Sequence, residues 1–427
     1  MIRRRLGKSE YVRLLADDRE FRRLWLADLL SLFGDWFNWI ALYTAVDALL
    51  GTSQAVGWVI VAKSLPFVFA SPIAGPLVDR LPARALMVGA DLIRAVLGLV
   101  LVVAWWWQSV TLLFTATVLS ILCSGVFLPA KNAAIPRIVP VERLGVANAL
   151  TAGSWSITLA FGAALGGFVT DWLGVSAALA LDAVTYVVSA LLLLRLPALA
   201  PPVDVGQGTA GTDVVPVGGR FRDALAYLSG RPALCAMAAV KAGMACTSGA
   251  LPMLTVFGNR VLSEVPSPRT VGVLFAARGI GAVIGSLGAR RVFGDGGDRM
   301  RRMVVCGFGA IAVGYGLLSV SPGVVACAAA LVVSGSGNSL VWVGSNVLIQ
   351  TESDRRFHGR LFALDFGAMT LVGAVAVLVT TGLVDAGLWS PRQAVAAAGF
   401  AAVPVAVVLG FALRRPIDGA PGVTDRT

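Results

Sequence analysis

Long apolar stretches alternate with short polar segments along almost the whole chain. Each apolar stretch has about 20 residues or more, which is the length that an α-helix needs to cross the hydrocarbon core of a bilayer. Twelve such stretches lie at residues 22–49, 56–78, 85–106, 110–130, 146–170, 175–195, 232–257, 270–289, 302–320, 323–348, 360–384 and 391–413. The pattern therefore predicts an all-α polytopic membrane protein with about 12 transmembrane helices.

The composition indicates that the bilayer is the solvent of this chain. Hydrophobic residues make up 57% of it, charged residues only 14%, and the mean hydropathy is +0.80. Soluble globular domains carry roughly 25% charged residues. A soluble protein is therefore excluded.

The net charge of +11 is compatible with nucleic-acid binding as well as with membrane topology. The positions of the basic residues along the chain distinguish the two. A dense basic cluster precedes the first apolar stretch, and most other Lys and Arg residues lie in loops on the same side of the predicted membrane. The loops of the opposite side contain Arg260, Arg269 and Arg392. Because basic loops stay in the cytoplasm, both termini are expected there, in the plasma (inner) membrane, and no nucleic-acid partner is expected.

A segment rich in Pro and Gly between the sixth and seventh apolar stretches divides the chain into two halves. VGWVIVAK (56–63) in the first half resembles VGVLFAAR (271–278) in the second, which aligns Lys63 with Arg278. Two pseudo-symmetric six-helix bundles are therefore predicted. The predicted parts are an N-terminal cytoplasmic segment, the first bundle, a cytoplasmic linker, the second bundle and a cytoplasmic tail, at residues 1–21, 22–195, 196–231, 232–413 and 414–427.

The residues that usually carry catalysis or bind metals are scattered singly. The five cysteines form no CxxC pair, and His358 is the sole histidine. We therefore expect no enzymatic activity, no metal and no cofactor. The expected partners are a small-molecule substrate, protons and the lipid bilayer, and the protein is expected to be a monomer.

The loop after the second apolar stretch carries the pattern Gly75-x-x-x-Asp79-Arg80-x-x-x-Arg84. This pattern resembles the signature G-x-L-a-D-R-x-G-R-R of the major facilitator superfamily. Pro82 and Ala83 depart from its second glycine and from one of its final arginines. The resemblance implies the major facilitator fold and transport by alternating access.

Several further segments resemble the macrolide-efflux and enterobactin-exporter branch of the drug:proton antiporters in that superfamily. They are FGDW (33–36), LPFVFASPIAGPLVDR (65–80), ADLIRA (90–95), FLPAKNAAIPRIVP (127–140), LDAVTYVVSALLLL (181–194) and FHGRLFAL (357–364). The resemblance implies export of a small compound in exchange for protons.

In the superfamily, the loop signature is a conformational latch that contacts the other half of the protein. The resemblance assigns this role to Gly75, Asp79, Arg80 and Arg84. Asp91 and Arg94, three residues apart on one helical face, can pair with each other or with the loop. In the alternative interpretation, the loop charges only mark a cytoplasmic loop and extend to water.

Ionisable residues inside predicted spans are costly and indicate a transport pathway. At about 1.5 Å per residue, Asp35 and Lys63 lie at matching depths, so an ion pair that protonation of Asp35 would open is predicted. A static pair and no contact are the alternatives.

Asp28 and Lys241 are expected to meet across the cavity floor. Arg278 has no acid at its depth, so an anion or backbone carbonyls are expected to satisfy it.

Gly162-Ala163-x-x-Gly166-Gly167 resembles the GPxxGG motif of proton-coupled exporters, with alanine in place of proline. Ordinary helix packing by small residues is the alternative interpretation.

The sequence thus predicts a secondary active transporter, a proton-coupled exporter of small amphipathic or hydrophobic compounds of antibiotic or siderophore type. The basic residues Lys63, Lys241 and Arg278 favour an alternative, an importer or facilitator of an anionic metabolite. An alternative from another class is a non-transporting membrane scaffold or sensor.

Overall fold

A computed structural model describes residues 9–199, 227–229, 231–262, 265, 267–293, 297–354 and 357–412. The predicted tail (414–427) and most of the predicted linker lie outside these residues. The described part consists of helices and their connections, without a β-strand. The helices are α1 (Ser9–Asp17), α2 (Arg19–Leu50), α3 (Ser53–Arg80), α4 (Ala83–Trp106), α5 (Val110–Ile138), α6 (Leu144–Ile157), α7 (Ala163–Leu193), α8 (Pro232–Ala245), α9 (Ala250–Val256), α10 (Pro268–Phe293), α11 (Gly297–Val320), α12 (Val324–Glu352), α13 (His358–Asp385) and α14 (Pro391–Ala412).

The predicted all-α membrane fold is confirmed. Within the described residues, 10 helical stretches are long and apolar enough to cross a membrane. One of them, Val141–Leu193, has 53 residues and bends at Gly174, whose φ of 83° lies in the left-handed region that glycine adopts without strain. The bend separates the two predicted spans 146–170 and 175–195. Helix α2 has 32 residues, also enough for one crossing, so about 12 spans are consistent with the structure.

The connection between α2 and α3 is short and capped on both sides. Gly51 ends α2 with a φ of 65°, and its N–H donates to the carbonyl of Asp47. The Thr52 hydroxyl then accepts from the N–H of Ala55 at 3.2 Å and starts α3. The two helices therefore run antiparallel from a turn at 51–52, which sets the depth of every side chain on them.

The described residues form two compact units. Unit 1 contains those of Met1–Gly206 and Phe257–Ala276, and unit 2 contains those of Gln207–Val256 and Ala277–Thr427. Unit 1 thus includes the described residues of 257–276, which the sequence analysis assigned to the second bundle. In unit 1, α2 packs on α7, and α4 packs on both α5 and α7. In unit 2, α11 packs on α12 and α14, and α8 packs on α13.

In unit 2, helices α10 and α12 approach each other at backbone distance. A Cβ atom on Gly281 would lie 2.2 Å from the carbonyl oxygen of Val332, and one on Gly285 would lie 2.4 Å from that of Ser336. These neighbours are backbone atoms, which cannot rotate away as a side chain would. Small residues spaced four apart are the usual means of such close packing in membranes.

Gly281→Ala is therefore expected to destabilise the folded protein by about 1–3 kcal/mol, because the added methyl group forces the two helices apart. Thermal unfolding of the detergent-solubilised protein measures the effect. Gly309→Ala on α11 is the matched control, since no heavy atom lies within 4 Å of its added Cβ. Alanine is the better helix former, so this control should be as stable as the parent or more stable. Equal melting temperatures for the two variants would contradict the packing argument.

Candidate functional site

A chain of buried polar groups connects α3, α2 and α7 in unit 1. The Lys63 ammonium donates to Asn38 Oδ1 at 2.7 Å, and Asn38 Nδ2 donates to Asp182 Oδ2 at 2.8 Å. The Lys63 Nζ atom also lies 4.7 Å from the centroid of the Trp39 ring. Lys63 is 9% exposed and Asp182 is 1% exposed, so an amide side chain bridges two buried charges.

The predicted direct contact between Asp35 and Lys63 is not formed. Asp35 instead accepts a hydrogen bond from the Tyr186 hydroxyl at 2.6 Å. The reason is the turn at residues 51–52, which places Lys63 level with Ile40 and next to Asn38. Asp35 is five residues further from this turn than Ile40, which is roughly 7.5 Å along the axis of α2.

A second buried cluster joins α4 to α7. Arg94 and Asp91 form an ion pair, as their spacing on one helical face predicts, and Asp91 Oδ2 accepts from the Ser189 hydroxyl at 2.6 Å. The Arg94 guanidinium lies between two rings, 4.7 Å from the centroid of Phe127 and 4.3 Å from that of Tyr186. Arg94 and Asp91 thus bind each other inside unit 1 rather than the loop above them.

Tyr186 joins this cluster to Asp35. Its ring covers Arg94 and its hydroxyl donates to the Asp35 carboxylate, so one side chain contacts both ionisable groups. Sequence reasoning missed Tyr186 because an uncharged residue in an apolar stretch gives no signal of a polar contact. The missed residues Asn38 and Ser189 share this property.

The residues of the loop signature lie at the α3–α4 connection. Asp79 and Arg80 are exposed in the last turn of α3, and Gly75 lies one turn earlier in the same helix. Arg84 donates to the carbonyl oxygen of Leu196 at 2.7 Å, just beyond the end of α7. A cation at this place pairs with a carbonyl of the segment after α7 and complements the dipole at the helix C-terminus.

Asp28 has a counter-ion on α5. Its Oδ1 accepts from Lys131 Nζ at 2.8 Å, and both residues are buried. Asp28 Oδ2 is buried too, and no described residue offers it a hydrogen bond.

Lys241 in unit 2 has a different set of partners. It donates to Asp365 Oδ2 at 2.5 Å and to Asn346 Oδ1 at 2.7 Å. Its Nζ atom lies 4.7 Å from the Trp342 ring centroid and 5.5 Å from that of Phe362. Asp28 and Lys241 thus each form an ion pair with a residue of their own unit, whereas the sequence predicted that they pair with each other. The counter-ion of each residue lies on another helix of the same unit, Lys131 for Asp28 and Asp365 for Lys241. The depth of a residue in its helix does not predict which residue will be its counter-ion.

Arg278, aligned with Lys63 by the repeat, lies on α10 in unit 2. Its Nε atom is buried, and no described residue accepts a hydrogen bond from it. The backbone of Gly335 packs directly against the Arg278 carbonyl, where a Cβ would lie 2.2 Å from the oxygen.

The glycine motif follows a short π-helical turn at Thr158–Gly162. A Cβ on Gly162 would lie 2.9 Å from Trp36 Cδ1, and one on Gly166 would lie 2.8 Å from the Trp36 carbonyl oxygen. A Cβ on Gly167 would lie 2.7 Å from the carbonyl oxygen of Pro268. All three glycines thus allow close helix packing, and the π turn supplies the irregularity that proline supplies in the related motif.

A cavity of about 220 Å³ in unit 1 lies beside Asp35, Arg94 and the ion pair of Asp28 with Lys131. Its wall combines charged side chains with aromatic ones: Asp28, Asp35, Arg94, Lys131, Phe67, Phe127 and Trp155. Apolar surface with a few converging polar groups is the usual construction of a small-molecule site. The remaining sequence candidates Lys63, Lys241 and Arg278 do not line this cavity.

Comparison with known proteins places these features in a family. The chain is 27% identical over 359 residues to the MFS-type transporter y4rN of Sinorhizobium fredii, a match that covers 80% of this chain and 84% of the relative. It is 31% identical over 180 residues to the putative bacilysin exporter BacE of Bacillus subtilis, covering 40% of this chain and 44% of the relative. It is 26% identical over 188 residues to macrolide efflux protein A of Streptococcus pyogenes, covering 43% and 46%. The chain therefore spans less than half the length of these last two relatives.

Solved structures show the same fold at low sequence identity. The POT family transporter PepTSo matches with a TM-score of 0.73 at 11% identity, covering 93% of this chain and 98% of that protein. The nucleoside transporter NupG matches with a TM-score of 0.67 at 14% identity, covering 92% and 98%. The sequence pattern of the Major Facilitator Superfamily matches residues 24–292. The chain therefore belongs to the Major Facilitator Superfamily and is a multi-pass membrane transporter rather than an enzyme.

Proposed function

We propose that this transporter is a proton-coupled exporter of small amphipathic or hydrophobic compounds. The observation that carries the proposal is the state of Asp35, which lies on the cavity wall and forms no ion pair with any described residue. Its described partner is a hydroxyl group. A carboxylate of this kind exchanges a proton without breaking an ion pair, which suits a coupling site.

Tyr186 provides a route from Asp35 to the rest of unit 1. The ionised carboxylate accepts from the Tyr186 hydroxyl, and this bond weakens when a proton occupies the same oxygen. Because the Tyr186 ring packs on Arg94, a change in its position alters the surroundings of the Asp91–Arg94 pair on α4. Protonation of one residue is thereby coupled to the packing of three helices.

Two named relatives support export rather than uptake. They are described as a putative bacilysin exporter and a macrolide efflux protein. An antibiotic-type compound is therefore the substrate class that we assign. Uptake of an anionic metabolite is the second candidate, because the buried Arg278 Nε has no acceptor among the described residues.

Proteoliposomes of the purified protein test the direction of coupling. We expect a panel of amphipathic compounds to accumulate when the vesicle interior is more acidic than the medium, because outward proton flow drives their entry in exchange. Anionic metabolites should not accumulate under this gradient. Accumulation that requires an alkaline interior would indicate symport and overturn the proposal, as would transport indifferent to pH.

We further infer that Asp79 acts in a latch that forms in one conformational state. Asp79→Asn should lower the transport rate about fivefold to tenfold while membrane insertion remains normal, because it removes a contact that one state alone makes. Cysteine crosslinking specific to each state should shift toward the inward-open form. Asp17→Asn is the control, since Asp17 is an exposed acid in a 3.5 Å ion pair with Arg143. Normal transport together with an unchanged crosslinking ratio would refute the latch.

A further inference from the structure

We infer that the cavity in unit 1 is a subsite for the protonated amine of an amphipathic substrate, and that Asp28 Oδ2 is its acceptor. The inference rests on the proposed function in one respect, that the bound compound is the one transported. Binding itself can be measured without transport.

The Asp28 carboxylate has one oxygen that can accept a further hydrogen bond. The residue is 4% exposed, and one of its carboxylate oxygens binds Lys131 at 2.8 Å. The second oxygen has no partner in the described part of the chain, although the residue lines the cavity. A buried carboxylate oxygen without a hydrogen bond is unfavourable, so an N–H donor in the cavity would stabilise it.

The charge balance of the wall selects a cation rather than an anion. Lys131 is compensated by Asp28, and Arg94 is compensated by Asp91. Asp35 accepts from a hydroxyl group and forms no direct ion pair with a described residue. The wall itself holds two acids and two bases, and Asp91 behind Arg94 brings this group to one negative charge in excess when Asp35 is ionised, which favours a substrate amine over an anion.

The rest of the wall suits an apolar body attached to that amine. Phe67, Phe127 and Trp155 border the cavity, and aromatic faces attract both apolar groups and cations. A volume of about 220 Å³ is smaller than the roughly 300–1,000 Å³ of a site for a whole drug-sized ligand. The cavity therefore fits the amine-bearing end of a larger compound.

Unit 2 contains a comparable buried pair, Lys241 with Asp365, whose Oδ1 atom also has no partner among the described residues, but neither residue lines the cavity. Lys241 on α8 is the residue that the sequence predicts to match Asp28 in depth. Two oxygen acceptors and two aromatic rings already surround its ammonium group. Because Asp28 lines the cavity and Asp365 does not, we assign the amine subsite to unit 1.

Calorimetric titration of the purified protein with three matched probes tests the inference. The probes are 3-phenylpropylamine, 3-phenylpropanol and 3-phenylpropionate, which differ in the charge of one end. We expect the amine to bind about tenfold tighter than the alcohol, and the carboxylate to bind weakest, because a hydrogen bond between two charged groups is stronger than one from a neutral donor.

Substitutions at the two ends of the ion pair should act in opposite directions. Asp28→Asn should abolish the preference for the amine, so that amine and alcohol bind with equal affinity. Lys131→Gln should strengthen amine binding, because it removes the cation that competes for Asp28. Glu352→Gln is the control, since it removes one charge from a 2.7 Å ion pair with Arg301 in unit 2, and it should change neither affinity.

A variant at an exposed position keeps the test informative if the ion-pair variants fail to fold. Trp155 is 57% exposed, so Trp155→Leu should spare the core while weakening the amine and the alcohol equally. Equal affinities of the parent protein for amine and alcohol would overturn the inference, as would an amine preference that survives Asp28→Asn. Amine binding of the expected pattern without gradient-driven accumulation would instead overturn the proposed function and leave the subsite standing.

Discussion

Asp35→Asn is expected to reduce gradient-driven accumulation about tenfold or more while substrate binding changes little. The amide keeps the shape of the side chain and can still accept from the Tyr186 hydroxyl, but it cannot take up or release a proton. Transport should continue as slow, pH-independent exchange, because the variant imitates one protonation state permanently. Counterflow with and without a pH gradient in proteoliposomes measures both activities.

Two further variants separate coupling from structure. Tyr186→Phe keeps the ring on Arg94 and removes the hydroxyl, so it should shift the pH dependence of transport without abolishing coupling. Asp171→Asn changes an exposed acid in the same unit and should have no effect. Full gradient-driven accumulation by Asp35→Asn would show that Asp35 is not the proton site.

Lys63→Met is expected to reduce the yield of folded protein severalfold, because it removes the cation that the Asn38 amide connects to the buried Asp182. Removing one member of a buried ion pair costs about 3–5 kcal/mol. Here the Asn38 amide separates the two charges, so a value near the lower end is expected. Fluorescence-detected size-exclusion chromatography of detergent extracts measures the yield.

Double variants identify the acid that depends on Lys63. Lys63→Met combined with Asp182→Asn should recover most of the yield, since both buried charges are then absent. Lys63→Met combined with Asp35→Asn should recover little, because Asp35 has its own partner in Tyr186. Recovery with the Asp35 change and not with the Asp182 change would contradict the bridge through Asn38.

The fold follows from the sequence because the bilayer imposes a local rule. A spanning segment must be apolar over about 20 residues and must satisfy its backbone by helical hydrogen bonds, and both conditions can be read from a single stretch. The ion pair of Asp91 with Arg94 is equally local, since three residues of helix bring the two side chains together. Even the bend at Gly174 lies at the predicted end of one span and the start of the next.

The length of α5 shows where local rules fail. The apolar pattern ends this span at residue 130, and Pro129 and Pro136 are typical of a helix end. The helix nevertheless continues through both prolines to Ile138 and brings Lys131 into a buried position beside Asp28. Packing against neighbouring helices outweighs the two lost backbone hydrogen bonds. The sequence therefore gave no reason to count Lys131 among the buried charges.

The amino-acid sequence by itself determined the helices, the two repeats, the family signature and the local ion pair of Asp91 with Arg94. The tertiary structure alone decided which groups meet: Lys63 with Asn38, Asp35 with Tyr186, and Asp28 with Lys131. The hydropathy of a span depends only on the residues of that span, so it can be read from a single stretch of sequence. A side-chain contact depends on the rotation and depth of two helices that are distant in sequence, and only the packed bundle sets both.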